Sequence, residues 1–402
     1  MQNSISGTNE ILCLTLDIRS YLIVPLRDDR YHYSLGSIKK MKREIQHIID
    51  DHVNLSDHRE LISESKALID QDSNIIIQLL DKLYETELEQ EYKRNQLRDR
   101  FLSYLFHLNE EEMISLSFKI VKKFNSKLNI KELADKIVFF SSENNVLNQI
   151  SRSINDKELK NYNHLLLGEL VLRGKLPDII FQDEFLTGDL KWVGLKLSSI
   201  EQDLTLRSHT KNGGGFGFNF GIQNEPKLTY QFIGNKKLKL ERSVNEKFIE
   251  LASCIATDYI SIVEFGNIEF KDDSINDVKS QIICQLNHEI TKSEETEVAF
   301  RSVDSKTVFQ YLFGMAVMGG AYERGEFHAT SRIKAWKVIS GLMQKEYTKI
   351  LKEDLSESMV NYQWNEFTCN NEWFINEWLD LGLIGINQKE NEYAIIAITD
   401  TD

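Results

Sequence analysis

The stretch GGAYERGEFHATSRIKAW, Gly319–Trp336, joins two strongly helical segments of the sequence. Before it, the apolar residues of Ser305–Met318 cover much of a helix circumference, which predicts a buried helix that ends at Gly319. After it, Thr330–Leu351 carries an apolar stripe that includes Trp336, which predicts a second packed helix. Glycine, charge and aromatic character are therefore concentrated between two core helices, and this stretch is a candidate functional site.

Four polar side chains of this stretch form a candidate anion site. The start of a helix presents free N–H groups and a partial positive charge, and arginines beside it can hold a phosphate or a carboxylate. The predicted ligand-binding residues are Tyr322, Arg324, His328 and Arg332. The competing interpretation is that both arginines pair with nearby or distant acids and that Trp336 belongs to the core. The structural interpretation is favoured, because ion-paired arginines outnumber ligand sites.

The same stretch resembles a known family. The pattern G-G-A-Y-x-x-G followed by A-x-x-R-x-x-A-W is similar to the hallmark of an uncharacterised bacterial family of unknown function. The chain end is similar as well, with Asp-Leu-Gly-Leu at 380–383 and Thr-Asp-Thr-Asp at 399–402. Phe327 and His328 depart from the pattern, which has small residues there. The resemblance implies a bacterial origin and brings no established activity.

Length predicts two or three domains, and a change of pattern divides the chain into two parts. The 402 residues exceed the size at which single hydrophobic cores stop growing. From Ser37 to Gly174 the pattern is almost continuously helical, and from Leu186 onward shorter β-prone runs appear. We therefore expect an α+β fold that is predominantly α-helical. Residues 1–185 would form a helical domain whose hairpins could stack, and residues 186–402 an α+β domain that carries the GGAYERG motif.

Two local predictions are specific enough to test. Apolar residues at spacings of three and four, around a charged middle, predict one long helix over Asn74–His107. At the end of the chain, Gly382–Asn387 and Tyr393–Thr399 read as strands with a short link, which predicts a closing hairpin.

Charge and hydropathy narrow the classes of partner. The net charge of -14 repels a phosphate backbone and argues against bulk nucleic-acid binding. No apolar run approaches the roughly 18 residues that span a bilayer, so we expect no membrane role. The four cysteines are scattered and no leader pattern opens the chain, which favours a reducing cytoplasm.

The excess of acids lies at the C-terminal end. From Leu351 onward eleven acids face two lysines, a net charge of -9. We expect the aromatic residues of a helix over Trp373–Leu381 to be buried, and Glu372, Glu377 and Asp380 to face water. This acidic surface is either a solvated face or a docking surface for a basic partner.

One metal-dependent pattern is present but weak. Asp258 followed by Glu-Phe-Lys at 269–271 resembles the carboxylates and lysine of restriction-endonuclease-like nucleases. If the β-prone run turns at Gly266-Asn267, the two carboxylates lie roughly 15 Å apart along a hairpin. A shared magnesium ion needs oxygens at about 2.1 Å. The pattern therefore gives little support to a nuclease.

Other chemical motifs fail on spacing. The segment NGGGFGFNFG, Asn212–Gly221, has no Gly-x-Gly-x-x-Gly register and no Lys-Ser/Thr pair, so it reads as a glycine-edged strand. Cys284 and His288 have the spacing of two helical metal ligands, but no partner pair of matching spacing exists. No Gly-x-Ser-x-Gly elbow occurs. We expect no metal and no cofactor.

These observations favour a non-catalytic cytoplasmic bacterial interaction protein, such as an immunity or phage-defence component, whose protein partner could be basic. One alternative is an enzyme or binding protein for an anionic small molecule that uses residues 322–332. A second alternative is a metal-dependent nuclease. The sequence identifies neither the partner nor the oligomeric state.

Overall fold

The computed structural model describes residues 66–70, 72–85, 91–176, 186–210, 213–215, 229–231, 240–255, 260–269, 275–286, 298–319, 325–369 and 380–399. A helical N-terminal part is followed by helices and an antiparallel sheet. The predicted fold class, α+β with a predominance of helix, is confirmed. The predicted division at residue 185 stays a prediction.

The N-terminal part consists of helices packed around one hydrophobic cluster. Two of them begin at an asparagine whose side chain accepts a helix N–H: Asn109 bonds Glu112 and Asn129 bonds Glu132. The helices are α1 (Ile75–Glu85), α2 (Glu91–Ser103), α3 (Glu110–Phe124), α4 (Ile130–Phe140), α5 (Glu143–Ser153) and α6 (Lys160–Leu172).

The prediction of one long helix over Asn74–His107 is wrong. α1 and α2 pack against each other, and residues 104–107 form a 3-10 turn. Each helix has its own apolar residues, such as Leu79 in α1 and Phe101 in α2, and both of these are fully buried. Packing side by side buries two apolar stripes that one straight helix would spread over twice the length.

The remaining part alternates helices with strands. It contains a short 3-10 turn at Ser199–Glu201. The helices are α7 (Gly188–Val193), α8 (Glu246–Ala252), α9 (Ile275–Leu286), α10 (Ser305–Met318), α11 (His328–Leu342) and α12 (Lys352–Val360). The strands are β1 (Ser208–Thr210), β2 (Gly213–Gly215), β3 (Thr229–Gln231), β4 (Leu240–Arg242), β5 (Ile260–Ile268), β6 (Val298–Val303), β7 (Gln363–Cys369), β8 (Leu381–Asn387) and β9 (Glu392–Thr399).

Seven of these strands form one antiparallel sheet in the order β3-β6-β7-β8-β9-β5-β4, and β1 pairs with β2 separately. The sheet is covered on both faces. Val263 and Phe265 of β5 belong to a cluster that includes α10 and α11, whereas Ile268 belongs to a cluster that includes α9. The predicted closing hairpin is confirmed as β8 and β9, which pair from Leu381 and Ile398 to Asn387 and Glu392.

Helix α10 occupies the position predicted from the opening motif, whereas the helix predicted over Thr330–Leu351 is shorter, because α11 ends at Leu342. α10 has the predicted bounds, and Gly319 ends it with a φ of 71°, a left-handed conformation that favours glycine. α6 crosses α11 closely at Gly168, where an added Cβ would stand 2.7 Å from the Ala329 Cβ. Glycine at this position therefore brings the N-terminal helices against the start of α11.

Candidate functional site

The four residues predicted to bind an anion divide into two pairs. Tyr322 and Arg324 lie outside the described residues. His328 is the first residue of α11 and Arg332 lies one turn later, and they are 0% and 1% exposed. The described half of the candidate site is therefore buried in the protein. Its role in binding a ligand stays a prediction.

Arg332 is bonded by every nitrogen of its guanidinium. Its Nε donates to Glu201 Oε1 at 2.6 Å, and its Nη1 donates to the Gly194 carbonyl at 2.8 Å. Its Nη2 donates to the Lys196 carbonyl at 2.8 Å. Such a planar fork between a carboxylate and backbone carbonyls is a geometry that lysine cannot reproduce.

Glu201 is the acceptor shared by this network. Its Oε1 also accepts the indole N–H of Trp336 at 2.7 Å, and its Oε2 lies 3.2 Å from the Lys352 Nζ. Burial raises the pKa of Glu201, but the charges and hydrogen bonds of Arg332 and Lys352 outweigh burial and lower it to about 2. Glu201 is therefore ionised at neutral pH, and it joins α11 and α12 to the Ser199–Glu201 turn.

A second buried centre surrounds the first turn of α11. The Glu169 Oε1, from α6, accepts the Ala329 N–H at 2.8 Å. Phe327 at the N-cap position makes no side-chain cap bond of its own. A carboxylate at a helix start satisfies a free N–H and complements the helix dipole. Glu169 thus caps α11 from another helix.

Asp135 of α4 completes this centre. Its Oδ1 accepts from Arg173 and lies 3.3 Å from the His328 Nδ1. Its Oδ2 lies 2.8 Å from the His209 Nε2, which comes from β1. The Asp135 side chain is fully buried. Burial raises the pKa of Asp135, but the hydrogen bonds of His209 and His328 outweigh burial and lower the pKa well below 3.8.

Hydrogen bonding fixes the tautomer of His328. The Arg207 backbone N–H donates to the His328 Nε2 at 2.8 Å, so this nitrogen carries no proton. The Nδ1 therefore holds the proton and donates it toward Asp135 and Glu169, the latter at 3.2 Å. Burial lowers the pKa of His328, whereas the two carboxylates raise it, with a net rise. Gaining a second proton would break the Arg207 bond, so the geometry supports a neutral imidazole.

Asp135, Glu169 and His328 also have the spacing of a metal site, because one ligand atom from each lies within 4.8 Å of the others. Their bonding opposes this role. A histidine that binds a metal donates its other N–H to an acceptor, whereas the second nitrogen of His328 faces a donor. Arg173 places a positive charge on Asp135 where a cation would lie. The centre therefore fits a hydrogen-bonded junction of helices better than a metal ion.

Sequence reasoning missed the carboxylates of both centres. The pattern contained a signal for one of them: Glu169 is the single acid within the run HLLLGELVL, residues 164–172, whereas Asp135 is followed by Lys136 and has no comparable apolar surroundings in the sequence. A lone acid on a buried helical face requires a partner, because an unpaired buried charge is costly. Which partner it has depends on residues far away in sequence.

The structure does not contain the hairpin that was considered for the nuclease pattern of Asp258 and Glu-Phe-Lys at 269–271. β5 runs without a turn through Gly266 and Asn267, so the hairpin considered there does not form. The pairing with β9 on one side keeps this segment extended. Glu269 is exposed at the end of β5, and Asp258 and Lys271 lie outside the described residues.

The predicted acidic face is also revised. Asp380 is 6% exposed, and its Oδ1 accepts the Thr399 hydroxyl at 2.6 Å, so the prediction that it faces water is wrong. Asp380 is the residue before β8, and this bond joins the start of β8 to the end of β9, which explains why Asp380 is buried. Glu372 and Glu377 lie outside the described residues. A docking role for the acidic end stays a prediction.

The glycine-rich segment and the cysteine–histidine pair contribute little to the described structure. Within Asn212–Gly221 only Gly213–Gly215 is described, as strand β2. The Cys284 side chain and His288 lie outside the described residues.

Within the part of the chain that the structure describes, no helix is long and apolar enough to cross a membrane.

The chain belongs to a family of unknown function, DUF6183, whose pattern matches residues 60–402. This confirms the resemblance to an uncharacterised family. No curated protein and no solved structure matches the chain.

Proposed function

We propose that the protein is a non-catalytic interaction protein that binds another protein through its surface. The observation that carries the proposal is the internal bonding of His328 and Arg332. Both ring nitrogens of His328 and all three guanidinium nitrogens of Arg332 have protein partners. Among the described residues of the motif, His328 and Arg332 therefore build the scaffold and present no nitrogen to a ligand.

The energetics support a scaffold role. An anion that bound Arg332 would have to displace Glu201 from a site without solvent access. Leaving one member of a buried ion pair unpaired costs about 3 to 5 kcal/mol. A small ligand would have to offset that cost before it gained any affinity. The same reasoning applies to Glu169, because its displacement would uncap α11.

The surface offers features that suit a protein partner. Val244 is 81% exposed and is the most exposed of the large hydrophobic side chains in the described residues. The net charge of -14 favours a basic partner through electrostatic attraction. The cytoplasmic bacterial setting, with immunity or phage defence as its context, belongs to the same proposal. It is motivated by the family resemblance and by the acidic, aromatic C-terminal region.

The test is affinity capture of the tagged full-length chain from its native host, followed by reconstitution. Candidate partners are purified and mixed with the protein, and the complex is followed by analytical ultracentrifugation and by association kinetics at two salt concentrations. We expect a defined complex whose association slows as salt rises, because exposed charges are screened beyond about 10 Å at 0.1 M salt.

Two matched assays distinguish the alternatives. If the purified protein cleaves DNA or RNA with Mg²⁺, the nuclease alternative replaces the proposal. If phosphate or a carboxylate metabolite raises the melting temperature and Arg324→Ala removes this effect, the anion-binding alternative replaces it. A protein that forms no complex and is stabilised by neither ligand class also contradicts an interaction role.

A further inference from the structure

Strand β5 lies between β9 and β4, and it is longer than β4. We call the side that faces β9 the inner side and the side that faces β4 the outer side. β9 pairs with β5 from Ile260 to Asn267 on the inner side. On the outer side β4 pairs only with Gly266–Ile268, and the Ser243 N–H adds one bond to the Phe265 carbonyl at 2.9 Å. The chain then leaves the sheet and enters α8. Within the described residues, positions 260–264 therefore have no neighbouring strand on the outer side.

The backbone groups of this edge have a known direction. Alternate residues of an antiparallel strand direct their N–H and C=O groups to the same side. Because the Phe265 carbonyl faces β4, the N–H and C=O groups of Ser261 and Val263 also face outward. The side chains of Val263 and Phe265 are 9% and 1% exposed, so the core holds this edge in place. A fixed edge with open donors and acceptors is what strand addition requires.

A carboxylate lies beside the open edge on the face covered by α9. The Glu264 side chain is 18% exposed, and its Oε2 lies 3.3 Å from the Arg242 Nε. That oxygen is buried and accepts no hydrogen bond in the described structure. Burial raises the pKa of Glu264 to about 7, although the Arg242 charge lowers it. Glu264 therefore lacks the hydrogen bonds that a half-buried carboxylate needs.

The strand pattern indicates which added residue would reach this carboxylate. Ile262 and Glu264 share one face of β5, since side chains alternate along a strand. A residue opposite Ile262 on an added strand would lie diagonal to Glu264, about 7 to 8 Å away and within reach of a long side chain. A lysine or arginine there would supply the missing hydrogen bond and would match the negative charge of the chain.

We propose that the outer edge of β5, at Ser261–Glu264, binds an extended segment of a partner protein as an additional strand, with a lysine or arginine beside Glu264. This inference rests on the proposed interaction function and names the surface and the kind of partner. A second copy of the chain is a poorer occupant, because each copy carries a net charge of -14 and the copies repel each other. Val244, in the segment that leaves β4, would border the added strand.

Proline at position 261 tests the edge without breaking the sheet. The Ser261 N–H faces outward, so Ser261→Pro removes one edge donor and leaves the bonds to β9 in place. Ser261→Ala is the matched control, because it changes the side chain and keeps the N–H. Both variants are first compared with the natural chain by circular dichroism and melting temperature.

Hydrogen exchange measured by NMR tests whether the edge is open in the free protein. We expect the amides of Ser261 and Val263 to exchange faster than those of Ile262 and Glu264, which face β9. Equal protection of all four amides would show that another part of the chain covers the edge, and would overturn the inference. This measurement needs no partner, so it is independent of the proposed function.

The binding probe is a fluorescein-labelled peptide of eight residues that alternates threonine and valine around one central lysine. Fluorescence anisotropy should show binding to the natural chain and to Ser261→Ala, with about tenfold or more weaker binding to Ser261→Pro. A peptide N-methylated at alternate amides should not bind, and a lysine-to-glutamate peptide should bind about threefold more weakly. Absence of binding at about 1 mM peptide, or binding that ignores Ser261→Pro, would overturn the inference.

The captured partner gives the decisive comparison. If the partner binds the natural chain and Ser261→Pro equally, the edge inference fails while the proposed interaction function stands. If sedimentation shows a dimer of the chain that Ser261→Pro abolishes, a second copy occupies the edge and the inference is wrong about the partner. If no partner is recovered, the peptide and exchange measurements still decide whether the edge accepts a strand.

Discussion

Arg332 and Glu201 form a fully buried ion pair across 131 residues of sequence, with the Arg332 Nε 2.6 Å from the Glu201 Oε1. The pair fastens α11 to the segment before the sheet, and Trp336 and Lys352 bond the same carboxylate. A conspicuous arginine in the motif thus has a structural partner, which explains how a charged residue can lie inside the core.

Removal of Arg332 should destabilise the protein strongly. Arg332→Ala leaves the Glu201 charge buried without its main partner, and we expect the free energy of unfolding to fall by about 3 to 5 kcal/mol. Urea unfolding followed by tryptophan fluorescence measures the change. Lys247→Ala is the control, because it removes an ion pair from an exposed side chain and should leave the unfolding midpoint unchanged. Arg324→Ala should have a smaller effect than Arg332→Ala, and equal effects would contradict this assignment.

The lowered pKa of Glu201 predicts an acid-sensitive contribution to stability. The folded pKa is about 2 and the ordinary value is 4.5, so the unfolded chain binds more protons between these values. The stabilisation is therefore complete above pH 4.5 and is lost as the pH falls toward 2. Glu201→Gln should be less stable than the natural chain at pH 7, and the difference should shrink in that acid window. A difference that stays constant with pH would contradict the assignment.

The raised pKa of Glu264 predicts a change of stability with pH that is opposite in sign to that of Glu201. The folded pKa is about 7 and the ordinary value is 4.5, so the folded chain binds more protons between these values and loses stability as the pH rises through them. Glu264→Gln should raise the melting temperature at pH 8 and have little effect at pH 4. Melting curves across this range, with Glu241→Gln on the neighbouring strand as control, measure the effect. A loss of stability at pH 8 would show that the carboxylate is needed as an ion.

Metal removal should leave the centre at His328 unchanged. Because Nε2 of His328 accepts the Arg207 N–H, a metal on Nδ1 would force this bond to break. We expect neither EDTA nor added Zn²⁺ to change the melting temperature, measured by calorimetry on protein analysed for bound metal. A stoichiometric metal whose removal lowers the melting temperature, and whose binding Asp135→Asn abolishes, would refute the hydrogen-bonded interpretation.

The close crossing of α6 and α11 can be tested by a double-mutant cycle. Alanine normally exceeds glycine in helix stability by about 1 kcal/mol. Gly168→Ala should nevertheless destabilise the protein, because its Cβ would stand 2.7 Å from the Ala329 Cβ. Ala329→Gly should relieve that contact, so the double variant should be more stable than Gly168→Ala alone. Additive changes in unfolding free energy would indicate that the helices do not meet there.

Local sequence signals were enough to predict several helices and strands. The bounds of α10, the stop at Gly319 and the hairpin of β8 and β9 follow from periodicity, a glycine stop and a short link. Each signal depends on residues within a few positions of one another. β7 was not predicted, because its sequence QWNEFTC contains polar residues. Asn365 and Glu366 are buried there and bond Lys279 and Arg301, which lie more than sixty positions away.

The sequence by itself determined that the chain forms helices followed by a mixed region, and that the Gly319–Trp336 motif starts a packed helix. Tertiary structure alone decided that Glu201 pairs with Arg332, that Glu169 caps α11, and that β5 lies between β9 and a shorter β4. The physical reason is that helix formation and turns depend on neighbours along the chain. The burial of a charge and the open side of a strand depend on which distant segments fold against it.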